Sequence, residues 1–175
     1  LPTDITVWNG DTTRMPARMH SEYLRGLFLE NRLTAGRFAV EGRVIALKDI
    51  AVPMFVIATE SDHIAPWKSV YKTKLFTDCD LTFVLTKGGH NGGILSEPGH
   101  PGRHFRIGHR APGALYIGPD RWFVAHPTEP GSWWPKYAAW LGKKNKRSSE
   151  PPQMGNPKAG FAPLCPAPGT YVHQM

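Results

Sequence analysis

The chain has 175 residues, a formal net charge of +7, 41% hydrophobic residues and 11% aromatics. This composition excludes a disordered polymer, and the length suffices for one domain with its own core. No charged segment followed by an apolar run opens the sequence and no apolar run is long enough for a bilayer, so neither a signal peptide nor a membrane span is expected. A cytosolic protein, or a piece of a longer one, fits these features.

Cys79 and Cys165 form no C-x-x-C pair and read as reduced, incidental thiols. The basic residues are scattered except for Lys143, Lys144, Lys146 and Arg147. That cluster precedes a Ser/Pro-rich stretch and reads as a solvated helix end rather than a phosphate patch, so no nucleic-acid partner is expected.

In chain order, Asp4 to Trp8 is a short apolar run that breaks at Asn9-Gly10-Asp11. Thr12 or Thr13 can cap a helix with Pro16 in its first turn, running to about Leu33. Met19, Tyr23, Leu24, Leu27 and Phe28 recur at helical spacing and predict a core-facing stripe. Trp8 beside a turn suggests a groove-lining residue. Phe38 to Val40 and Val44 to Leu47 flank Glu41-Gly42 and predict a β-hairpin. Pro53 to Ala58 and Leu81 to Thr86 are continuous apolar runs of the kind that form strands buried on both faces. Pro66 to Phe76 between them predicts one helix with Trp67, Val70, Tyr71 and Leu75 on its buried side. Strand, helix and strand together predict a parallel crossover, hence an α/β fold.

Residues 96–131 carry six Pro and six Gly and predict a long loop with at most a short strand or helical turn. His100, His104 and His109 fall there and read as surface histidines, with no metal expected. Ser132 caps a last helix whose Trp133, Trp134, Tyr137, Trp140 and Leu141 form an aromatic face, either docked on the body or left for a partner surface. From Gly142 the polar, Pro-rich tail predicts extended or disordered chain.

The chemistry concentrates at two strand ends. Asp62 follows the first buried strand, and His90 follows the second, 28 residues later. Parallel strands place both side chains over the carboxyl edge of the sheet, where α/β folds bind ligands. A carboxylate beside an imidazole fixes its tautomer and stabilises the imidazolium formed when the ring takes a proton. Gly88-Gly89 and Gly92-Gly93 allow sharp turns around His90. Acid followed by histidine is also the chain order of α/β-hydrolase triads.

Trp8-Asn9-Gly10-Asp11, Tyr23-Leu24-Arg25, Leu29-Glu30-Asn31-Arg32-Leu33, Asp62-His63-Ile64-Ala65-Pro66-Trp67, Gly89-His90, Gly131-Ser132-Trp133-Trp134-Pro135 and Pro166-Ala167-Pro168-Gly169 together resemble the C-terminal part of class I polyhydroxyalkanoate synthases. The resemblance implies an acyltransferase on an α/β-hydrolase core with a Cys-His-Asp triad. Such an enzyme polymerises (R)-3-hydroxyacyl-CoA into polyester and releases CoA. By motif, His90 is the general base, and Asp62 orients it or activates the substrate hydroxyl. His63 lines the site, and Trp8 and Asn9 belong to a cap near the substrate channel. The resemblance assigns residues 1–36 to the cap, 37–141 to the last two core strands with their crossover helix and the 96–131 loop, and 142–175 to a tail. It implies no cofactor (the CoA thioester is the substrate), a homodimer in the full-length protein, and cytoplasmic association with polyester granules. The family's nucleophile lies in a G-x-C-x-G upstream of the acid, and no cysteine precedes Asp62 here. The chain thus reads as the C-terminal portion of a synthase, inactive alone. A thioesterase, esterase or depolymerase with an upstream serine, or a non-catalytic remnant, is the competing reading.

Overall fold

A computed structural model describes residues 10, 14–144, 149–166 and 169–170. The chain divides into two compact units, residues 22–146 and the terminal segments 1–21 with 147–175. In the terminal unit, a 3-10 turn at Pro157–Ala159 is capped by the Asn156 side chain, and Asn156 bridges to Phe161. Thr12, Thr13, Trp8 and Asn9 lie outside the described residues.

Helix α1 (Ala17–Tyr23) passes into a π-helical segment, Leu24–Leu29. The expected core stripe is not buried. Met19, Tyr23, Leu24 and Phe28 are exposed, and only Gly26 is buried, against the Phe38 ring. The stripe meets no core cluster among the described residues. The predicted hairpin is present as β1 (Ala39–Val40) and β2 (Arg43–Val44). Its turn residues Glu41 and Gly42 both have positive φ, 50° and 78°. That backbone matches the twist of a two-residue hairpin.

The main sheet has four strands in the order β3 (Met54–Thr59), β4 (Leu81–Thr86), β5 (His104–Arg110) and β6 (Glu129–Pro130). β3 and β4 are parallel, as predicted, with Met54 opposite Leu81 and Thr59 opposite Thr86. β5 is antiparallel to β4, and β6 to β5. The expectation of two core strands and a long 96–131 loop is thereby corrected. That stretch supplies a seven-residue strand, helix α4 (Pro119–Ala125) and β6. The apolar pattern of β5 is hidden because two inward positions are arginines. Arg110 is buried and donates to the carbonyls of Lys74, Thr77 and Cys79. Arg106 lies 3.9 Å from the Phe123 ring centre and donates to the carbonyl of His126 at 2.5 Å. Such charges are tolerated inside because their terminal nitrogens donate to backbone carbonyls, while the Nε of each is buried without a partner among the described residues.

The single helix predicted for 66–76 is broken into α2 (Trp67–Tyr71) and α3 (Thr73–Phe76). Thr73 Oγ1 donates back to the Val70 carbonyl at 2.8 Å, a local bond that competes with the helical ladder. The break rotates the buried face, so Lys74 is buried and Leu75 is exposed.

Side chains alternate across the sheet and make two cores. On one face, Ala58, Leu81, Phe83 and Leu85 pack with Tyr71 and Trp122 from α2 and α4. On the other, Val84, Phe105, Phe55, Ile57 and Ile107 pack with Trp133 and with Tyr137 of α5 (Trp134–Lys144). The aromatic face of α5 is docked through Trp133, Tyr137 and Trp140, whose rings meet Phe55. Leu141 and Trp134 stay partly exposed.

Candidate active site

The turn after β3 carries Asp62, and the loop after β4 carries His90. The ladder between the strands continues past their ends, with Glu60 N–H donating to the Thr86 carbonyl at 2.9 Å and Ser61 N–H to the Gly88 carbonyl at 3.0 Å. The two loops are therefore fastened to each other beside the residues they present. Asp62 Oδ1 accepts the backbone N–H groups of Ile64 and Ala65, both at 2.8 Å. Its Oδ2 lies 2.8 Å from Nδ1 of His90. The structure brings the two predicted residues into direct contact.

Two of the four glycines around His90 are required by close approach. A Cβ on Gly93 would lie 2.5 Å from Thr59 Cγ2, and one on Gly88 would lie 2.7 Å from Gly93 Cα. Gly88 also has φ of 131°, outside the range of ordinary side chains. Gly89 and Gly92 have open space around them. The loop is folded back onto the end of β3, and this fold-back carries the imidazole to Asp62.

The Asp62 carboxyl is held down to about 2, first by the N–H of Ala65, then by His90 and the N–H of Ile64. It is thus an anion through the neutral range and can only accept hydrogen bonds. Nδ1 of His90 must then carry the proton, and in the neutral ring Nε2 is left as the free base. The His90 side chain is 48% exposed and the Asp62 side chain 8% exposed. A proton donor from outside can reach the ring, while the acid that orients it is shielded.

His63 is exposed on the same turn. Cys79 is buried two residues before β4, at its amino end. The length of β4 separates it from His90 by roughly 17 Å, too far to pair. His100, His104 and His109 are not alike: His104 Nε2 meets Glu60 at 3.2 Å and His109 Nε2 meets Asp80 at 3.1 Å, while His100 Nδ1 meets the neighbouring Pro101 carbonyl. No group of three metal-binding side chains occurs among the described residues.

Sequence reasoning assigned no role at the site to the start of α5. Ser132 Oγ donates to the carbonyl of Ser96, Trp133 Nε1 to that of Gly93 at 3.3 Å, and Trp134 Nε1 to that of Ile94 at 3.0 Å. All three carbonyls belong to the segment that follows His90. The Ser-Trp-Trp run was visible as a motif, but its aromatic character pointed to packing rather than to donated hydrogen bonds.

No protein-family model matches the chain. Curated relatives do. The chain is 37% identical over 172 residues to poly(3-hydroxyalkanoate) polymerase subunit PhaC of Rhizobium meliloti, covering 98% of this chain and 27% of that protein. It is 39% identical over 171 residues to the poly(3-hydroxyalkanoate) polymerase of Methylorubrum extorquens, covering 97% of this chain and 27% of that protein. Against the PhaC subunit of Cupriavidus necator the figures are 34% over 174 residues, 98% and 28%. The chain thus spans about a quarter of the length of the curated relatives it matches. With these matches and the paired strand-end residues together, the chain is related along nearly its whole length to the C-terminal part of the poly(3-hydroxyalkanoate) polymerases.

Proposed function

We propose that this chain supplies the acid and the imidazole of a polyester-forming acyltransferase, one that joins (R)-3-hydroxyacyl groups from their CoA thioesters and releases CoA. The observation that carries this reading is the 2.8 Å contact of Asp62 with His90 Nδ1 across the carboxyl ends of adjacent parallel strands. His90 Nε2 takes the proton from a cysteine thiol contributed by protein outside these residues. The thiolate attacks the thioester carbonyl, and the CoA sulfur leaves with the proton returned by the His90 imidazolium, an exchange between sulfurs of similar basicity that restores the free base. The 3-hydroxyl of the next acyl group then gives its proton to His90 and attacks the enzyme-bound thioester, forming the ester bond as the cysteine sulfur leaves. Both oxygens of Asp62 are engaged and its carboxyl is weakly basic, which favours orientation of His90 over direct activation of that hydroxyl.

In this reading residues 1–36 belong to a cap containing Trp8 and Asn9, 37–141 to an α/β-hydrolase core and 142–175 to a tail. His63 lines the entrance. No cofactor is needed. The full-length protein works as a homodimer on polyester granules in the cytoplasm; no helix among the described residues is long and apolar enough to cross a membrane. Among the described residues no strand pairs with the outer edge of β3, which supports the view that the core is completed by further strands. Met54 and Glu60 donate toward β4, so the alternating Phe55, Ile57 and Thr59 turn their backbone groups outward.

The test is CoA release from 3-hydroxybutyryl-CoA by the full-length protein that carries this segment. His90→Gln is expected to lower turnover roughly 10³-fold or more with the fold retained. Turnover kept in that variant removes His90 from its role. Free 3-hydroxy acid in place of polymer identifies a thioesterase instead.

A further inference from the structure

The His90 loop is anchored at both ends, by Ser61 N–H on Gly88 O before it and by Ser132, Trp133 and Trp134 on segment 93–96 after it. We propose that Ser132 and Trp134 are positioning residues for His90, acting through the carbonyls of Ser96 and Ile94; this rests on the reading of His90 as the base. Three consecutive residues spend side-chain donors on three carbonyls of one four-residue segment. The arrangement goes beyond capping, although Ser132 Oγ also accepts the Trp134 N–H at 3.2 Å and so starts α5.

The Trp134 ring is not explained by burial. It is 37% exposed, and it borders an apolar groove of about 440 Å³ lined by Leu95, Pro98, Pro135 and Ala138. It stacks on the buried Trp133 ring, with centres 4.4 Å apart and planes 25° from parallel. That stack fixes the indole plane and aims its N–H at the Ile94 carbonyl. A phenylalanine can stack in the same place but has no donor. Between the anchors lie Gly89, Asn91 and Gly92, and the two glycines have no neighbour within 4 Å of a Cβ position. The turn between the anchors is closed on segment 93–96 itself, with Gly93 N–H on the Gly89 carbonyl at 3.1 Å and the Ile94 and Leu95 N–H groups on the Asn91 carbonyl at 3.0 Å, so the placement of His90 depends on how that segment is held. A displacement near 1 Å at a catalytic base can cost up to roughly 10²-fold in rate.

Trp134→Phe removes the N–H together with part of the indole surface, while a ring remains to stack on Trp133. Ser132→Ala removes the hydroxyl, and Ser132→Thr restores it. In the full-length protein, Trp134→Phe and Ser132→Ala are each expected to lower kcat roughly tenfold with KM for the acyl-CoA within about twofold, and Ser132→Thr to recover most of the loss. The second readout needs no turnover: the Nδ1–H proton resonance of His90, sharp in the parent when bound to Asp62, should broaden or vanish in Trp134→Phe and Ser132→Ala. An unchanged resonance overturns the proposal whatever the rates do. An unchanged kcat in an active protein overturns it as well. If the parent forms no polymer and the resonance still responds, the polymerase reading fails and the positioning role stands.

Discussion

Asp62 shows how one side chain can both shape a turn and set a chemistry. Its two oxygens serve different partners, backbone N–H groups on one side and an imidazole on the other. Because its folded-state value is about 2 against the ordinary 3.8, the unfolded chain binds the proton more readily. The stabilisation from this group is therefore complete above about pH 4 and is lost as pH falls from there toward 2. Acid titration of the folded protein by circular dichroism should show a midpoint that rises in Asp62→Asn, which lacks the linkage. The glycines beside His90 make a sharper test. Gly92→Ala should be neutral, whereas Gly93→Ala drives a methyl into Thr59 and should cost about 1–3 kcal/mol, measured by denaturant unfolding. Asp62 and His90 were legible because strand ends, spacing and residue chemistry agreed. The division of labour among the four glycines was not, since it depends on what each absent Cβ would touch.

At the level of elements, β3 and β4 could be read from their continuous apolar runs, and the hairpin from its turn. Two of the parts that could not be read share a cause. In β5 the inward positions are taken by Arg106 and Arg110, whose donors reach backbone carbonyls, and the Arg106 guanidinium also lies on the Phe123 ring. In α3 the buried position is Lys74, with Nζ 4.3 Å from the Tyr71 ring centre and flanked by Phe83 and Trp122. A pattern of apolar residues cannot register elements whose inward faces are cationic. Burial, reinforced by Arg110, lowers Lys74 to about 8, while burial pushes Tyr71 up to about 12. Between pH 8 and 10 the unfolded chain keeps the lysine proton that the folded chain has lost, so stability should rise with pH across that window. Above pH 10 the tyrosine reverses the trend. Denaturation midpoints across that range check both signs, and Lys74→Met should flatten the lower limb. Gly108 is the matching constraint on α4. A Cβ there would come within 2.5 Å of both Trp122 Nε1 and His126 Nε2. Gly108→Ala should therefore displace α4 and cost roughly 1–3 kcal/mol of stability.

For the sheet as a whole, both faces carry helices, and among the described residues no strand pairs with the outer edge of β3. The outer backbone groups of β3 offer a template for another strand, which soluble proteins normally cover or block. Produced alone, the chain should self-associate with concentration in sedimentation experiments, and co-expression with the preceding part of a polymerase should convert it to a discrete complex. A monomer at high concentration would count against an open edge. The antiparallel turn taken by β5 has a further consequence. It finishes the parallel run at β4, so a further strand can extend that run in parallel pairing only beside β3. In the proposed enzyme, a thiol delivered from the end of such a strand approaches the imidazole across the Asp62 turn, and that direction is set before any substrate arrives.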